Sequence, residues 1–262
     1  MHNGMTLENG NELDLYLDHF FVGIDRSKFD ELAVLAELIP GTRVEAISSG
    51  DSSWKGVYPR SSSGIYIELL ERSGDWKDAG LGLCLSKLGK EAYVEEKLKR
   101  IFPGIEWASE TWKWNGETPW FKLFMQKGQD REIRARTLAM EYQGTHREHR
   151  FERIGDPSTP IERFVSMEMT IPETLLTDLN QKWHRWLPGS RSLTNGVYTM
   201  EIPCYQSTSF KLMATPGPGA YLPRVRKITA RLKPDCSVRE YAGPSFQLSC
   251  CGPDLAFEFE ER

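Results

Sequence analysis

Three stretches of the chain end in the same way, with an amphipathic helical segment that stops at an apolar residue followed by Pro-Gly. The stops read LIPG, IFPG and WLPG, and they end at Gly41, Gly104 and Gly189. Proline cannot continue a helix, and glycine accepts the left-handed backbone of a helix-ending turn. A short strand-like run precedes each helix and strand-rich sequence follows it. The chain is therefore predicted to repeat one unit, strand–helix–strand–strand–strand (βαβββ).

The first two helices are predicted from apolar residues at helical spacing. In the first helix these residues are Phe29, Leu32, Ala33 and Ala36. Asp25 or Ser27 is available as its N-cap. In the second helix the apolar residues are Tyr93, Val94, Leu98 and Ile101.

The end of the chain departs from this pattern. From Arg224 onward it contains three strand-like runs and no helical stretch, which indicates a fourth unit that lost its helix. The polar segment 144–160, rich in Gly, Asp, Pro, Ser and Thr towards its end, is typical of a linker. The sequence thus predicts an α+β fold of tandem βαβββ modules, whose curled, mostly antiparallel sheets are flanked by helices. The modules are expected in two paired halves, 14–145 and 161–262.

Composition excludes several classes of partner. The net charge of −4 leaves no general basic surface, so nucleic acid and anionic membranes are not expected as partners. No apolar stretch approaches the ~20 residues that span a bilayer, and the polar N-terminus does not resemble a signal peptide. The five cysteines are odd in number and form no CxxC pair, which favours reduced thiols. These observations predict a cytoplasmic protein.

Three ionisable residues stand inside apolar strands. His19 interrupts the run YLDHFFVGID, and Glu68 and Glu141 lie in the middle of GIYIELLE and LAMEYQ. Strand alternation places Glu68 on the same face as Tyr66 and Leu70. From the residues alone two interpretations stay open. The imidazole is a buried histidine with a hydrogen-bonded neighbour, or it belongs to a site together with the carboxylates.

These motifs resemble those of the vicinal oxygen chelate superfamily, which includes glyoxalase I and the extradiol dioxygenases. LDHFFVGID is similar to the family's first strand, where a metal-ligating histidine commonly stands. GIYIELLE and LAMEYQG are similar to the closing strands of two modules, with Glu68 and Glu141 at the family's ligand positions. The resemblance is to uncharacterised glyoxalase-like proteins in particular. It covers about the first 145 residues and extends to the rest only in architecture.

The resemblance implies a divalent metal ion (Zn, Ni, Mn or Fe) bound by His19, Glu68 and Glu141, with both glutamates also taking part in catalysis. The implied chemistry is that of a lyase, isomerase or oxygenase acting on a carbonyl or oxygen-rich small molecule. The strand GLGLCLSK departs from the family, because it offers Cys84 and Ser86 where many relatives have a further metal-binding residue.

Aromatic residues are expected to line the cleft. Tyr58, Tyr66 and Trp120 are the candidates for substrate binding, because small-molecule pockets combine apolar walls with a few polar groups. Two alternatives to the metal enzyme stay open. One is a metal-free member that uses the same cleft as a binding pocket or cyclase. The other is a non-catalytic protein whose broad sheet mediates oligomerisation, for example as a homodimer.

Overall fold

The computed structural model describes residues 15–49, 52–74, 80–87, 94–114, 118–127, 135–145, 157–178, 191–204, 208–217 and 222–260. The helices are α1 (Arg26–Leu32), α2 (Leu35–Leu38), α3 (Val94–Ile101) and α4 (Glu173–Asp178). The strands of the first half are β1 (Leu15–Ile24), β2 (Arg43–Ser49), β3 (Ser52–Tyr58), β4 (Tyr66–Glu71), β5 (Leu81–Lys87), β6 (Trp107–Trp114), β7 (Thr118–Gln126) and β8 (Ala135–Tyr142). Those of the second half are β9 (Ile161–Ile171), β10 (Arg191–Thr194), β11 (Val197–Pro203), β12 (Ser209–Pro216), β13 (Arg224–Leu232), β14 (Tyr241–Ala242), β15 (Phe246–Cys251) and β16 (Asp254–Phe259).

Each half forms one sheet of eight described strands. The strand orders are β2-β3-β4-β1-β5-β8-β7-β6 and β10-β11-β12-β9-β13-β16-β15-β14. In the first sheet β1 runs parallel to β4 and antiparallel to β5, and β9 does the same with β12 and β13 in the second. Each sheet therefore consists of two units joined through their first strands. The predicted α+β class with tandem units is confirmed.

The predicted helix stops are present where the chain is described. Gly41 and Gly104 have φ of 84° and 85°, in the left-handed region that residues other than glycine rarely adopt. The third stop, at Gly189, lies outside the described residues. In the part of the chain that is described, no helix is long and apolar enough to cross a membrane.

The first predicted helix is in fact two short ones. Helix α1 ends at Leu32, and α2 begins at Leu35. Leu35 is fully buried, whereas Ala36 is exposed, so the break turns the larger side chain into the core. Asp25 stands at the N-cap but makes no capping hydrogen bond through its side chain, and its Oδ1 accepts a hydrogen bond from Arg72 at 2.8 Å.

The fourth unit shows what the loss of a helix does to topology. In the second unit the chain passes from β5 through α3 before it enters β6, so that β8 returns parallel to β5. In the fourth unit residues 233–240 connect β13 to β14 without a helix. Each following strand is thereby reversed, and β16 pairs antiparallel with β13. The predicted fourth unit without a helix is confirmed.

A continuous apolar core joins the two halves. The ring of Phe20 in β1 lies 4.9 Å from that of Phe210 and 6.4 Å from that of Phe164, both in the second half. All three side chains are fully buried. Backbone hydrogen bonds from Ser62 and Ser63 to the start of β9 add a second connection. The division into 14–145 and 161–262 stays a prediction.

The first sheet is curled. Trp54 of β3 and Trp112 of β6 stand near opposite edges of the sheet, yet their rings lie 5.2 Å apart. Their side of the sheet must therefore be the inner one, which we call the concave face. Its buried apolar side chains are those of Phe21, Leu70, Cys84, Phe121, Leu123, Leu138, Met140 and Tyr142.

Gly82 makes room for an aromatic ring on the concave face. It pairs with Phe21 across β1 and β5, and a Cβ atom on Gly82 would stand 1.9 Å from the nearest atom of that ring. We therefore expect Gly82→Ala to lower the free energy of unfolding by about 1–3 kcal/mol, as overpacking does. In a Phe21→Ala background the same substitution should be close to neutral. Urea denaturation of the four proteins of this double-mutant cycle measures the difference, and equal effects in both backgrounds would contradict it.

Candidate functional site

A β-bulge at Asp18 decides which side chains of β1 reach the concave face. Leu17 pairs with Leu85 and His19 pairs with Cys84, so Asp18 is an extra residue between two paired ones. Leu17 and Phe20 consequently both face the core that the halves share, although a strand without a bulge would place them on opposite faces. Asp18 and His19 lie between them, and both turn to the concave face.

The carboxylate of Asp18 accepts three hydrogen bonds, although the residue is fully buried. Ser86 Oγ of β5 donates at 2.9 Å, Tyr142 Oη of β8 at 3.0 Å, and His19 Nδ1 at 2.8 Å. A buried carboxylate is tolerated when its oxygens are satisfied in this way. Asp18 thereby fixes the imidazole with Nδ1 towards itself and Nε2 towards the cleft.

Several groups act on the protonation of His19, which is only 4% exposed. Burial disfavours the imidazolium, but Cys84, the Glu68 carboxylate and the hydrogen bond to Asp18 favour it. Together they hold the pKa of His19 well above its usual 6.5. Burial raises the pKa of the Cys84 thiol, and the charge of His19 opposes that shift. The surroundings of His19 therefore favour its protonated form.

Glu68 faces His19 without being hydrogen bonded to it. Its Oε1 lies 3.8 Å from His19 Nε2, beyond the usual hydrogen-bond range. Burial raises the pKa of Glu68 above 4.5, while His19 opposes that shift and Asp18 adds to it. Nε2 and Oε1 are not hydrogen bonded to each other, so a third group can bridge them, while the imidazole also shares a hydrogen bond with the Cys84 thiol.

Two tyrosines frame this pair. The Tyr66 ring stacks on the His19 ring at 4.5 Å, and its hydrogen bond to Glu68 lowers the pKa of that carboxyl. Tyr58 is buried, accepts a hydrogen bond from Trp54 Nε1 at 3.0 Å, and has a pKa raised by burial and by Glu68. Both predicted substrate-binding tyrosines thus lie beside Glu68, where their phenol groups can position a ligand.

The other predicted site residues are placed differently. Trp120 packs against the buried side chains of the concave face, and its ring lies 4.8 Å from that of Phe121. Glu141 lies between Met140 and Tyr142, which both face the concave side, so it points to the opposite face of β8. Its Oε1 accepts a hydrogen bond from Gln143 at 3.0 Å. The structure brings together His19 and Glu68 but separates Glu141 from them.

The donor set does not fit a divalent ion of the kind the resemblance implies. His19 and Glu68 are the two candidate ligands that converge, and the Ser86 and Tyr142 hydroxyls are turned to Asp18. The Cys84 thiol lies beside His19, has a pKa raised by burial, and would have to release its proton to a metal ion. Within the described ranges no group of three or more His, Cys, Asp or Glu side chains is arranged to hold a metal ion.

The second sheet repeats the backbone but not the chemistry. In β9 the register shifts at Val165, so Val165 and Ser166 occupy the positions of Asp18 and His19. Lys211 and Met213 of β12 pair with β9 at the positions where Tyr66 and Glu68 of β4 pair with β1. A second site of the same kind is not formed by these residues.

Asp18, the most buried member of the site, is not among the residues predicted from the sequence. Asp18 precedes His19 directly, and strand alternation assigns it to the opposite face. The available signal was the apolar pattern itself. The apolar residues Leu15 and Leu17 occupy odd positions, whereas Phe20 and Val22 occupy even ones. This switch indicates a bulge between Leu17 and Phe20.

The comparisons with known proteins show the fold. No protein-family model and no curated protein sequence matches the chain. A hypothetical protein from Staphylococcus aureus is similar in structure, with a TM-score of 0.51, 12% identity, and coverage of 92% of this chain and 97% of that one. This likeness establishes a shared architecture and nothing about activity.

Two further solved structures are more distant. One is a xylose isomerase-like TIM barrel/4-hydroxyphenylpyruvate dioxygenase fusion protein, with a TM-score of 0.43, 10% identity, and coverage of 80% of this chain and 35% of that one. The other is BphC, a halotolerant catechol dioxygenase, with a TM-score of 0.37, 7% identity, and coverage of 82% and 68%. Both are too dissimilar to bear on function.

The raised pKa of His19 makes stability depend on pH. The folded protein keeps this proton to a higher pH than the unfolded chain does. Stability from His19 is therefore fully present below about pH 6.5 and is lost as pH rises through the folded-state pKa, by at most about 1.4 kcal/mol per pH unit. Urea denaturation between pH 6 and 9 should show this decline in the wild type and a flatter profile in His19→Gln. A steeper decline in the variant would contradict the assignment.

Removal of the Asp18 charge should lower the pKa of His19. Asp18→Asn takes away one carboxylate and leaves a buried donor facing other donors, so we also expect a loss of about 1–3 kcal/mol in unfolding free energy. The titration is followed by ¹⁵N NMR of the imidazole, with the His19 signals assigned from their absence in His19→Gln. Asp235→Asn, at an exposed turn residue with φ of 62°, is the matched control and should change neither quantity.

Proposed function

We propose that the concave face of the first sheet binds a small carbonyl compound and that His19 and Glu68 move a proton on it, as an isomerase or lyase does, without a metal ion. The observation that carries this proposal is the buried Asp18–His19 pair, which presents Nε2 to the cleft 3.8 Å from a carboxylate with a raised pKa. General acid–base catalysis needs such groups near their operating pH and within reach of one substrate.

Each residue has a defined part in the proposed reaction. Glu68 takes the proton from the carbon beside the carbonyl, and the electron pair of that C–H bond forms the carbon–carbon double bond of an enol. The carbonyl π electrons move to oxygen, which receives the proton from Nε2 of His19. Asp18 stabilises the imidazolium before the transfer and keeps the ring in place. In the reverse direction Glu68 returns a proton to carbon while the enol O–H proton goes back to His19 Nε2, which regenerates the carbonyl and both residues. The net result is hydrogen exchange or epimerisation at the carbon beside the carbonyl.

The surroundings support this division of roles. A raised pKa makes Glu68 a stronger base than an exposed glutamate, and the raised pKa of His19 keeps it charged as the electrophile. The apolar floor around Phe21 and Leu70 limits water near both groups. Tyr58, Tyr66 and Trp120 are proposed to contact the substrate, as the sequence predicts.

Deuterium incorporation tests the proposal directly. A panel of 2-oxo acids and aryl ketones is incubated with the protein in D₂O, and ¹H NMR follows the loss of the signal from the proton beside the carbonyl. His19→Gln and Glu68→Gln should each slow exchange by about 100-fold or more. Addition of a chelator should have no effect.

Glu141→Gln is the matched control, because it makes the same chemical change on the opposite face of the sheet, and its exchange rate should equal that of the wild type. Exchange that survives in His19→Gln would overturn the proposal. Exchange lost on chelation would favour the metal-assisted alternative that the family resemblance implies.

A further inference from the structure

Arg60 carries a buried polar atom without a partner at one end of the concave face. Its Nε is shielded from solvent and makes no hydrogen bond in the structure. A buried donor left unsatisfied costs more than a typical hydrogen bond contributes, and most buried donors therefore have a partner. Among the described residues, no carboxylate forms an ion pair with Arg60.

Strand register places Arg60 beside the proposed reaction centre. Arg60 pairs with Tyr66 in an antiparallel bridge, and the backbone bonds from Ser61 to Ile65 and from Ile67 to Pro59 flank that pair. This arrangement holds the two side chains next to each other on one face. Tyr66 in turn stacks on His19, so Arg60 lies two strand spacings, about 10 Å, from the imidazole.

The electrostatic surroundings agree with this position. Trp54, Gly56, Tyr58 and Arg60 alternate along β3 and its continuation, and Trp54 packs against the buried side chains of the concave face. The charge of Arg60 is felt at Tyr58, where it lowers the pKa that burial raises. Asp18 and Glu68 would repel an anion bound near them, whereas the guanidinium attracts one at the end of the cleft.

We propose that Arg60 binds an anionic oxygen group of the substrate, a carboxylate, while the body of the molecule extends over Tyr66 towards His19. Guanidinium groups bind carboxylates through paired charged hydrogen bonds, which the two terminal nitrogens form in the end-on arrangement. Arg60 therefore determines specificity for acids over neutral compounds. This inference rests on the proposed function for the direction in which the substrate lies.

Paired probes that differ only in charge test the inference. Isothermal titration calorimetry is run on the full chain with phenylacetate, 3-phenylpropanoate and 4-phenylbutanoate and with their carboxamides. At least one acid should bind about ten times more tightly than its amide. Arg60→Gln should lower the affinity for that acid by roughly 10- to 100-fold and leave the affinity for the amide unchanged. Arg60→Lys should recover part of the loss because it restores the charge.

Arg26→Gln is the matched control, since it removes the same charge from α1, where the side chain is 80% exposed. It should leave the preference for acids intact. Equal binding of acid and amide, no binding of any probe, or a preference that survives Arg60→Gln would overturn the inference.

The exchange assay separates this inference from the proposed function. Acid-selective binding that depends on Arg60, without deuterium exchange in any compound, supports the anion site and rejects the proton transfer. Exchange that depends on His19 but has the same KM for 2-oxo acids in Arg60→Gln supports the proton transfer and rejects the anion site.

Discussion

The Asp18 carboxylate is fully buried, and three donors from three separate strands keep it satisfied there. Those donors can reach one carboxylate only because the bulge in β1 turns Asp18 out of the core that the halves share and onto the concave face. The hydrogen bonds tie β1 to β5 and β8, so that the floor of the curled sheet and the orientation of His19 are fixed together. A loss of this carboxylate would disturb the arrangement of strands and the protonation of the imidazole at once.

The concave face combines two demands that normally conflict. Ionised groups are stabilised by water, whereas the aromatic and aliphatic side chains around them exclude it. The conflict is limited because charge is paired within a few ångströms, between Asp18, His19 and Glu68. Glu68 is the least buried of the three, with 17% of its side chain exposed, and it marks the side from which a ligand can approach. The other face of the same sheet belongs to the core that joins both halves, so the site is built on a rigid support.

Much of the architecture could be predicted from the sequence. The Pro-Gly stops specified the repeated unit, and alternation placed Glu68 on the same face as Tyr66 correctly, because β4 is regular. Alternation assigned Asp18 to the wrong face, because a bulge reverses the order in which side chains alternate. Bulges depend on backbone pairing with a neighbouring strand, which a short sequence motif does not show. Glu141 was assigned by resemblance of LAMEYQG to a closing strand, and alternation cannot tell which of two faces is the inner one. Tyr142, the next residue, is the one that faces Asp18. Arg60 was not predicted as a site residue, because what distinguishes it is a buried Nε without a hydrogen-bond partner, and a sequence does not show hydrogen bonding.

The recurrence of the bulge at Val165 separates the backbone of the unit from its chemistry. Both sheets displace the same position of their first strand, yet only the first sheet fills it with an acid. The geometry is therefore a property of the repeat and is independent of the side chains that use it. The second sheet is in consequence a ready acceptor for protein design. Aspartate, histidine and glutamate introduced at Val165, Ser166 and Met213 would meet a backbone already shaped to hold them, within the same molecule that carries the original arrangement.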